Sequence, residues 1–426
     1  MKISSDLKLY IIAKIVTVFS WVLIINIFTQ NLTPTEYGNY SLTYTLIILI
    51  SSGGTVWITT SFVRFYPEFI KKNKQQLFYY LGVKAAIPSI IAGLFLFLSI
   101  IGSLYFLDIL QYNFIIYLLI SLSLLGHMVF LLYSTYLSAV RDIKRYVLLV
   151  SGQIFLYVSI STILFNYSEF KIEAIFCGML LSYLPIILMI QNPKSYIKTF
   201  ISFTKRVNTV GLTKYRIYGF PILFMSVSIQ LNSVADQYIL KFYNLHNEVG
   251  MYAAFYTLSE KSLFMVYQVL SISTLPIAFR YWENGEFNRS YKLFWKIIIA
   301  YMVISLIGII ILLNFDYELT SLLINQSYME GVFIIPYILI GVFLGGCAAL
   351  FSDVLLLKKQ TMLLAKCYIS AAIINIVLNF ILIPQYGMIG AASSTLISYT
   401  IIFILLFYYM KRNTGMLDVI FRNRMN

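Results

Sequence analysis

The sequence predicts an all-α integral membrane fold: twelve transmembrane helices in two parallel six-helix bundles, with both termini in the cytoplasm. Three observations predict it. Hydrophobic residues make up 60% of the 426-residue chain and charged residues only 11%, with a mean hydropathy of +0.83; a soluble protein of this size needs far more charge to cover its surface. Apolar runs of about 20 residues, the length a bilayer core demands, alternate with short polar gaps. Finally, a pattern repeats: Glu36-Tyr37-Gly38-Asn39-Tyr40 is answered by Glu248-Val249-Gly250-Met251-Tyr252, 212 positions later and in the same place in the hydropathy profile.

The apolar runs lie at roughly 9–30, 39–63, 77–104, 114–138, 146–165, 172–191, 217–240, 250–276, 292–313, 331–357, 362–383 and 388–410. Lys2 and Lys8 precede the first run as they would in a signal peptide. That run, however, contains Lys14 and Asn26 and has no small-residue cleavage site, so it is expected to be retained as a span. Basic residues set the orientation. Of 31 Lys and Arg, 25 fall on the side of the N-terminus, in the two tails and in every second gap. The opposite side holds only Lys171 and Lys241, with eight acids: Glu36, Asp108, Glu169, Glu173, Glu248, Asp316, Glu318 and Glu330. The positive-inside rule then places both termini in the cytoplasm. Ten or fourteen spans would scramble this alternation. The net charge of +14 therefore reflects topology and attraction to anionic headgroups rather than nucleic acid binding.

The longest cytoplasmic segment, about 192–216, divides the chain into an N-terminal bundle (1–200), a linker (201–216) and a C-terminal bundle (217–426). Gly219-Phe220-Pro221 is expected to open the seventh span, since a proline in the first turn costs nothing. The repeat is supported by a second matched pair. Arg64-Phe65-Tyr66-Pro67-Glu68 ends the second span, and Arg280-Tyr281-Trp282-Glu283 ends the eighth. Six spans per half make the repeats parallel, related by an axis along the membrane normal, and a site is expected between them. In each E-x-G-x-Y, the glutamate suits the positive end of a helix and the tyrosine suits the interface.

Several chemistries are missing from the sequence. It contains no G-x-x-x-x-G-K-[ST] phosphate loop. Cys177, Cys347 and Cys367 lie in apolar runs without C-x-x-C spacing and suggest neither a disulfide framework nor a zinc site. The two histidines, His127 and His246, form no catalytic or metal-binding pair, and His127 reads as a packed helix residue. Glu169 and Glu173 share an outer loop and read as solvated acids. No enzyme is indicated.

Charges at membrane depth are the informative residues, because each is costly unless it meets a partner or water. Lys14, Lys84, Glu260, Lys261, Asp236, Asp353 and Lys366 all fall within apolar runs, and Asn232 precedes Asp236 by one helical turn. Lys14, Lys84 and Lys366 either snorkel to the inner surface or line a cavity. Lys261 is too deep to snorkel. It either pairs with Glu260 or Asp236, although adjacent helix positions do not normally face each other, or faces an anionic substrate. Lys14, Lys84 and Lys261 together suit a diphosphate, with ammonium groups standing in for lost water. Arg64 is either an inner gate or plain topology. Asp236, Glu260, Asp353 and Asn232 are the candidates for a Na⁺ or proton coupling site or a charge relay. No metal cofactor is expected beyond such a coupling ion. A few of the 35 Tyr are candidates to stack on sugar rings.

Short motifs in order along the whole chain carry a resemblance. They are Leu32-Thr33-Pro34-Thr35-Glu36-Tyr37-Gly38-Asn39-Tyr40, Tyr218-Gly219-Phe220-Pro221, Asn232-Ser233-Val234-Ala235-Asp236-Gln237-Tyr238, Val249-Gly250-Met251-Tyr252 and Pro384-Gln385-Tyr386-Gly387-Met388-Ile389-Gly390-Ala391-Ala392. The chain resembles the polysaccharide-transport branch of the multidrug/oligosaccharidyl-lipid/polysaccharide (MOP) exporter superfamily, the Wzx-type O-antigen flippases. Gln237 is a departure, standing where many relatives carry arginine, and it weighs against a charge-pair role for Asp236. The resemblance implies a V-shaped, MATE-like two-bundle fold in the bacterial inner membrane. It implies alternating access that moves an undecaprenyl-diphosphate-linked oligosaccharide, of O-antigen or capsule type, to the outer leaflet. The implied partners are that lipid-linked substrate, membrane lipids and other polysaccharide-assembly membrane proteins. Two readings compete: a cation-coupled multidrug exporter of the same fold, which would favour acids over lysines, and a membrane polymerase or ligase, which would need larger outer loops.

Overall fold

The computed structural model describes residues 2–73, 75–167, 170–189, 210–314 and 316–416. Every regular element among them is helical. In chain order they are α1 (Lys2–Asn31), α2 (Pro34–Lys71), α3 (Gln75–Phe106), α4 (Phe114–Ala139), α5 (Ile143–Tyr167), α6 (Lys171–Leu181), α7 (Leu184–Met189), α8 (Val210–Phe242), α9 (His246–Glu283), α10 (Phe287–Asn314), α11 (Asp316–Leu323), a 3-10 helix (Gln326–Ile334), α12 (Ile335–Leu357) and α13 (Thr361–Thr414). Nine helical stretches among the described residues are long and apolar enough to cross a membrane, and the protein is a multi-pass membrane protein. The 54 residues of α13 would extend about 80 Å as one straight helix, more than twice the ~30 Å hydrocarbon core. The helix breaks at Gly387 (φ 54°, ψ −133°), three residues after Pro384. α9 is also long enough to cross, with 38 residues.

Two expectations about helix limits are corrected. The run at 172–191 is two helices, α6 and α7, with a break at Ser182-Tyr183. Pro185 explains the restart, because it has no N–H to continue the preceding turn onto the Leu181 carbonyl and is tolerated in the first turn of a new helix. Tyr183 turns to the flank of α4. Its hydroxyl lies 2.9 Å from His127 Nδ1, and its ring faces Gly126, where a Cβ would come within 2.5 Å of it. His127 is thus a packed helix residue, lying against Phe130 and Tyr183. Pro221, in turn, does not open the seventh span, because α8 already begins at Val210 and the proline lies inside it. Tertiary packing extends this helix. Tyr215 is buried among Trp57, Phe62, Phe65 and Phe78, stacks on Phe65 at 5.6 Å and accepts a bond from Ser61 Oγ at its carbonyl. Most of the expected 201–216 linker lies outside the described residues.

The chain divides into two compact units, one formed by Met1–Ser41 with Ser228–Asn426 and the other by Leu42–Val227. Both boundaries fall inside helices, α2 and α8. In the first unit α12 packs on α13, α9 and α10, and α9 also packs on α10 and α1. In the second unit α6 packs on α4 and α5, and α3 packs on α4.

Within the first unit the two E-x-G-x-Y segments touch each other at matched positions. A Cβ on Gly38 would lie 3.0 Å from the Gly250 nitrogen, and a Cβ on Gly250 would collide with the Pro34 carbonyl. Three positions earlier in each segment, Thr35 Oγ1 donates to Asn247 Oδ1 at 2.6 Å. Equivalent positions that meet each other mark a local two-fold relation. The tyrosines of the repeat are not at the interface as expected. Tyr40 is 3% exposed and Tyr252 is fully buried; Tyr40 packs edge-on against Phe28, whereas Tyr252 enters the polar cluster described next.

Candidate functional site

The first unit brings together a cationic group and an oxygen-rich group along one face of α9. Tyr252, Tyr256 and Glu260 are spaced four residues apart and so share that face. At one end of it, Lys261 Nζ donates to Glu260 Oε2 at 2.7 Å, with both side chains about a third exposed. Adjacent residues do pair here, because the lysine stem is long enough to fold back over its neighbour. The same ammonium lies 5.5 Å from the Trp21 ring centroid of α1, a favourable cation–π distance. Lys14, two turns before Trp21 on α1, is in electrostatic contact with Lys261. Two like charges are therefore held near one carboxylate, which leaves a surplus of positive charge.

The other end of the face is a buried cluster of oxygen atoms. Asp236 is completely buried. Its Oδ2 accepts hydrogen bonds from the Tyr252 hydroxyl and, at 2.8 Å, from Thr395 Oγ1 of α13. Asn375 Nδ2 donates to Thr395 Oγ1, and Asn379 Nδ2 donates to Asn375 Oδ1 at 3.0 Å. Tyr399 hydrogen-bonds Asn232 and lies 3.0 Å from the Tyr256 hydroxyl. Three buried acceptors in this cluster have no donor: Asp236 Oδ1, Asn232 Oδ1 and Asn379 Oδ1. A buried polar atom without a partner costs about 1–3 kcal/mol, so these three acceptors favour a donor or a cation beside them.

This donor set fits a small hard cation. All the atoms are oxygens, as such ions require, and one carboxylate among neutral amides and hydroxyls balances a single positive charge. Of the residues singled out in the sequence, Asp236 and Asn232 are in this cluster. Gln237 accepts from Ser41 Oγ at 2.8 Å, and Lys241 donates to Asn39 Oδ1 at 2.9 Å, so neither pairs with Asp236. Sequence reasoning does not find Tyr252, Thr395, Asn375, Asn379, Tyr256 or Tyr399. Asn375 and Asn379, one turn apart in an apolar run, carry a readable signal all the same, because amides at membrane depth need partners.

The remaining candidates lie elsewhere. Lys84 and Arg64 belong to the second compact unit. Lys84 Nζ lies 5.6 Å from the Tyr80 ring centroid on its own helix, and Arg64 is exposed. Asp353 forms a separate group with Tyr267 and Ser271. At the start of α9, outside the apolar segments, burial and then the Lys241 ammonium hold the His246 imidazole below its ordinary value.

No protein-family model matches the chain, and no curated protein matches it significantly. Solved structures do. A structure titled lipid II flippase MurJ, in an inward closed conformation, superposes with a TM-score of 0.72 at 15% identity, covering 95% of this chain and 86% of that one. An inward-facing multidrug resistance MATE family transporter of the MOP superfamily gives 0.74 at 11% identity, covering 95% of each chain. A mutant form of the Vibrio cholerae MATE transporter VcmN gives 0.66 at 14% identity, covering 96% of this chain and 97% of that one. At such identities the likeness is one of architecture, and this all-helical membrane protein has the fold shared by MurJ and the MATE transporters.

Proposed function

We propose that the chain is a flippase that carries an undecaprenyl-diphosphate-linked oligosaccharide, of O-antigen or capsule type, from the cytoplasmic to the outer leaflet of a bacterial inner membrane. On this reading it has twelve spans in two parallel bundles, 1–200 and 217–426, joined by the 201–216 linker, with both termini in the cytoplasm. The touching E-x-G-x-Y segments support parallel repeats. The observation that carries the function is the pairing of Lys14 and Lys261 from different helices beside Glu260 and Trp21. A diphosphate competes with Glu260 for these ammonium groups. Trp21 offers a flat face to a sugar. The likeness to a structure titled lipid II flippase is consistent with a lipid-linked substrate.

Asp236, Asn232, Asn379 and Thr395 would hold a coupling Na⁺, which when bound supplies one positive charge opposite Asp236. Tyr256 and Tyr399 each sense both Asp236 and Glu260 electrostatically. They give the oxygen cluster a physical link to the Lys261–Glu260 pair. Other polysaccharide-assembly membrane proteins are the expected partners. A second reading, a cation-coupled exporter of small cationic molecules, is favoured by the oxygen cluster and the MATE likeness, but it leaves the two lysines without a role.

The test is flipping of a labelled lipid-linked oligosaccharide by the full chain in proteoliposomes. Lys261→Ala and Lys14→Ala should each slow flipping about tenfold or more, given ~1.5–3 kcal/mol for a hydrogen bond to a charged group. Full activity in both variants removes the diphosphate assignment. Drug efflux without flipping establishes the second reading instead.

A further inference from the structure

The buried carboxylate of Asp353 has no part in the function proposed above. It lies on α12, four residues before the helix ends at Leu357, and is 5% exposed. Its Oδ2 accepts from Ser271 Oγ at 2.8 Å and from the Tyr267 hydroxyl at 3.3 Å. These two donors sit one turn apart on α9. Next to Asp353, Ser352 Oγ lies 3.0 Å from the Tyr368 hydroxyl of α13. Among the described residues, the ion pairs of the chain involve other acids, and no Lys or Arg is paired with Asp353.

The chemistry around Asp353 differs from that around Asp236. Around Asp236, amide oxygens are left without donors, and an amide oxygen can only accept. Around Asp353 the neighbours are hydroxyls, and none of its oxygens is among the buried acceptors without a partner. A hydroxyl donates to a carboxylate and accepts from a carboxylic acid equally well. The Asp353 surroundings therefore suit both protonation states of the carboxyl. A lone carboxylate at membrane depth is costly unless its charge is neutralised, and here the available neutralising group is a proton.

We propose that Asp353 is a proton-binding site, separate from the oxygen cluster at Asp236, so that the C-terminal helices carry two cation sites of different chemistry. On protonation one carboxyl oxygen takes a proton from water. The new carboxyl O–H donates to one of the two hydroxyls, which turns from donating to accepting, while the other keeps donating to the carboxyl. Tyr252 and Tyr267, which mark the two sites on α9, are fifteen residues apart, about 22 Å along the helix, so the sites load independently at short range. The titratable groups turned toward Asp353 are Tyr267 from α9 and Tyr368 from α13, with Cys367 beside Tyr368. α10 meets α12 through Tyr301, which bonds the Phe343 carbonyl about three turns away. Tyrosine and cysteine ordinarily ionise above neutral pH, so a titration on the acid side belongs to the carboxyl.

The experiment is infrared difference spectroscopy of the full chain in detergent, stepped from neutral to acidic pH without any lipid-linked substrate. A buried carboxylic-acid band should appear as pH falls. It should be lost in Asp353→Asn, kept in Asp236→Asn, and moved in frequency and midpoint in Tyr267→Phe and Ser271→Ala. If Asp353→Asn does not fold, the last two variants carry the test. A band that persists in Asp353→Asn, or that is unmoved in both hydroxyl variants, overturns the proposal, as does its absence from the wild type. The measurement needs no substrate, so failed flipping with this titration intact sinks the flippase reading and leaves the proton site standing.

Discussion

The two copies of E-x-G-x-Y are alike in sequence and unlike in use. At the first copy, Glu36 closes its own helix. Its Oε2 accepts from the Thr33 nitrogen at 2.8 Å and from Thr33 Oγ1 at 3.0 Å, while Thr33 Oγ1 accepts from the Glu36 nitrogen. This is a reciprocal capping box. At the second copy, Glu248 reaches across to α13. Its Oε2 accepts from the Met388 nitrogen at 2.6 Å, beside the left-handed Gly387, where a Cβ would collide with that same carboxylate. The tyrosines diverge too, Tyr40 into an aromatic contact and Tyr252 into the Asp236 cluster. One copy therefore makes a simple turn. The other ties the helix break to the oxygen cluster, eight residues before Thr395. A repeat fixes backbone geometry in both halves and leaves the side chains free to specialise in one.

Substitutions can break this comparison in a graded way. The largest effect is expected at Gly250→Ala, where the new methyl meets backbone rather than a movable side chain. Overpacking of this kind costs about 3 kcal/mol, seen as a marked fall in the thermal unfolding midpoint; an unchanged midpoint would mean the glycine contact does not hold the helices. Glu248→Ala comes next. It removes a charged acceptor worth ~1.5–3 kcal/mol and should speed hydrogen exchange at Met388 and around the Gly387 break. Protection equal to wild type would show that the break needs no tie. Glu36→Ala should cost only ~0.5–1 kcal/mol, the range of a helix cap, with exchange faster in the first turn of α2 alone. Gly38→Ala should be nearly neutral in the same unfolding assay. Its 3.0 Å approach to the Gly250 nitrogen is offset by the ~0.5–1 kcal/mol that alanine gains over glycine in a helix. A loss as large as that at Gly250 would erase the distinction between the two copies.

Much of the architecture is readable from the chain. The runs at 114–138 and 292–313 correspond to α4 and α10 nearly unchanged, because a span is set by local hydropathy and little else. The site is readable only in part. Asp236 and Asn232 stand out as polar groups in an apolar run, one turn apart on a single face. Tyr252 and Thr395 do not stand out, because tyrosine and threonine are common in membrane helices and a hydroxyl becomes meaningful only when a carboxylate is placed against it. The start of α8 escapes the sequence for a similar reason. Pro221 is a strong local punctuation mark, but the packing of Tyr215 among Trp57, Phe65 and Phe78 outweighs it.

Composition and periodicity are enough to establish a multi-pass helical membrane protein, since burial in lipid depends on average apolarity, which a linear pattern records. Pairing is beyond them. That Lys261 turns to Glu260, that Asp236 collects oxygens from α8, α9 and α13, and that Asp353 meets hydroxyls instead all depend on which helix faces which. Those contacts join residues up to 159 positions apart, and no local pattern encodes a hydrogen bond between atoms that only packing brings together.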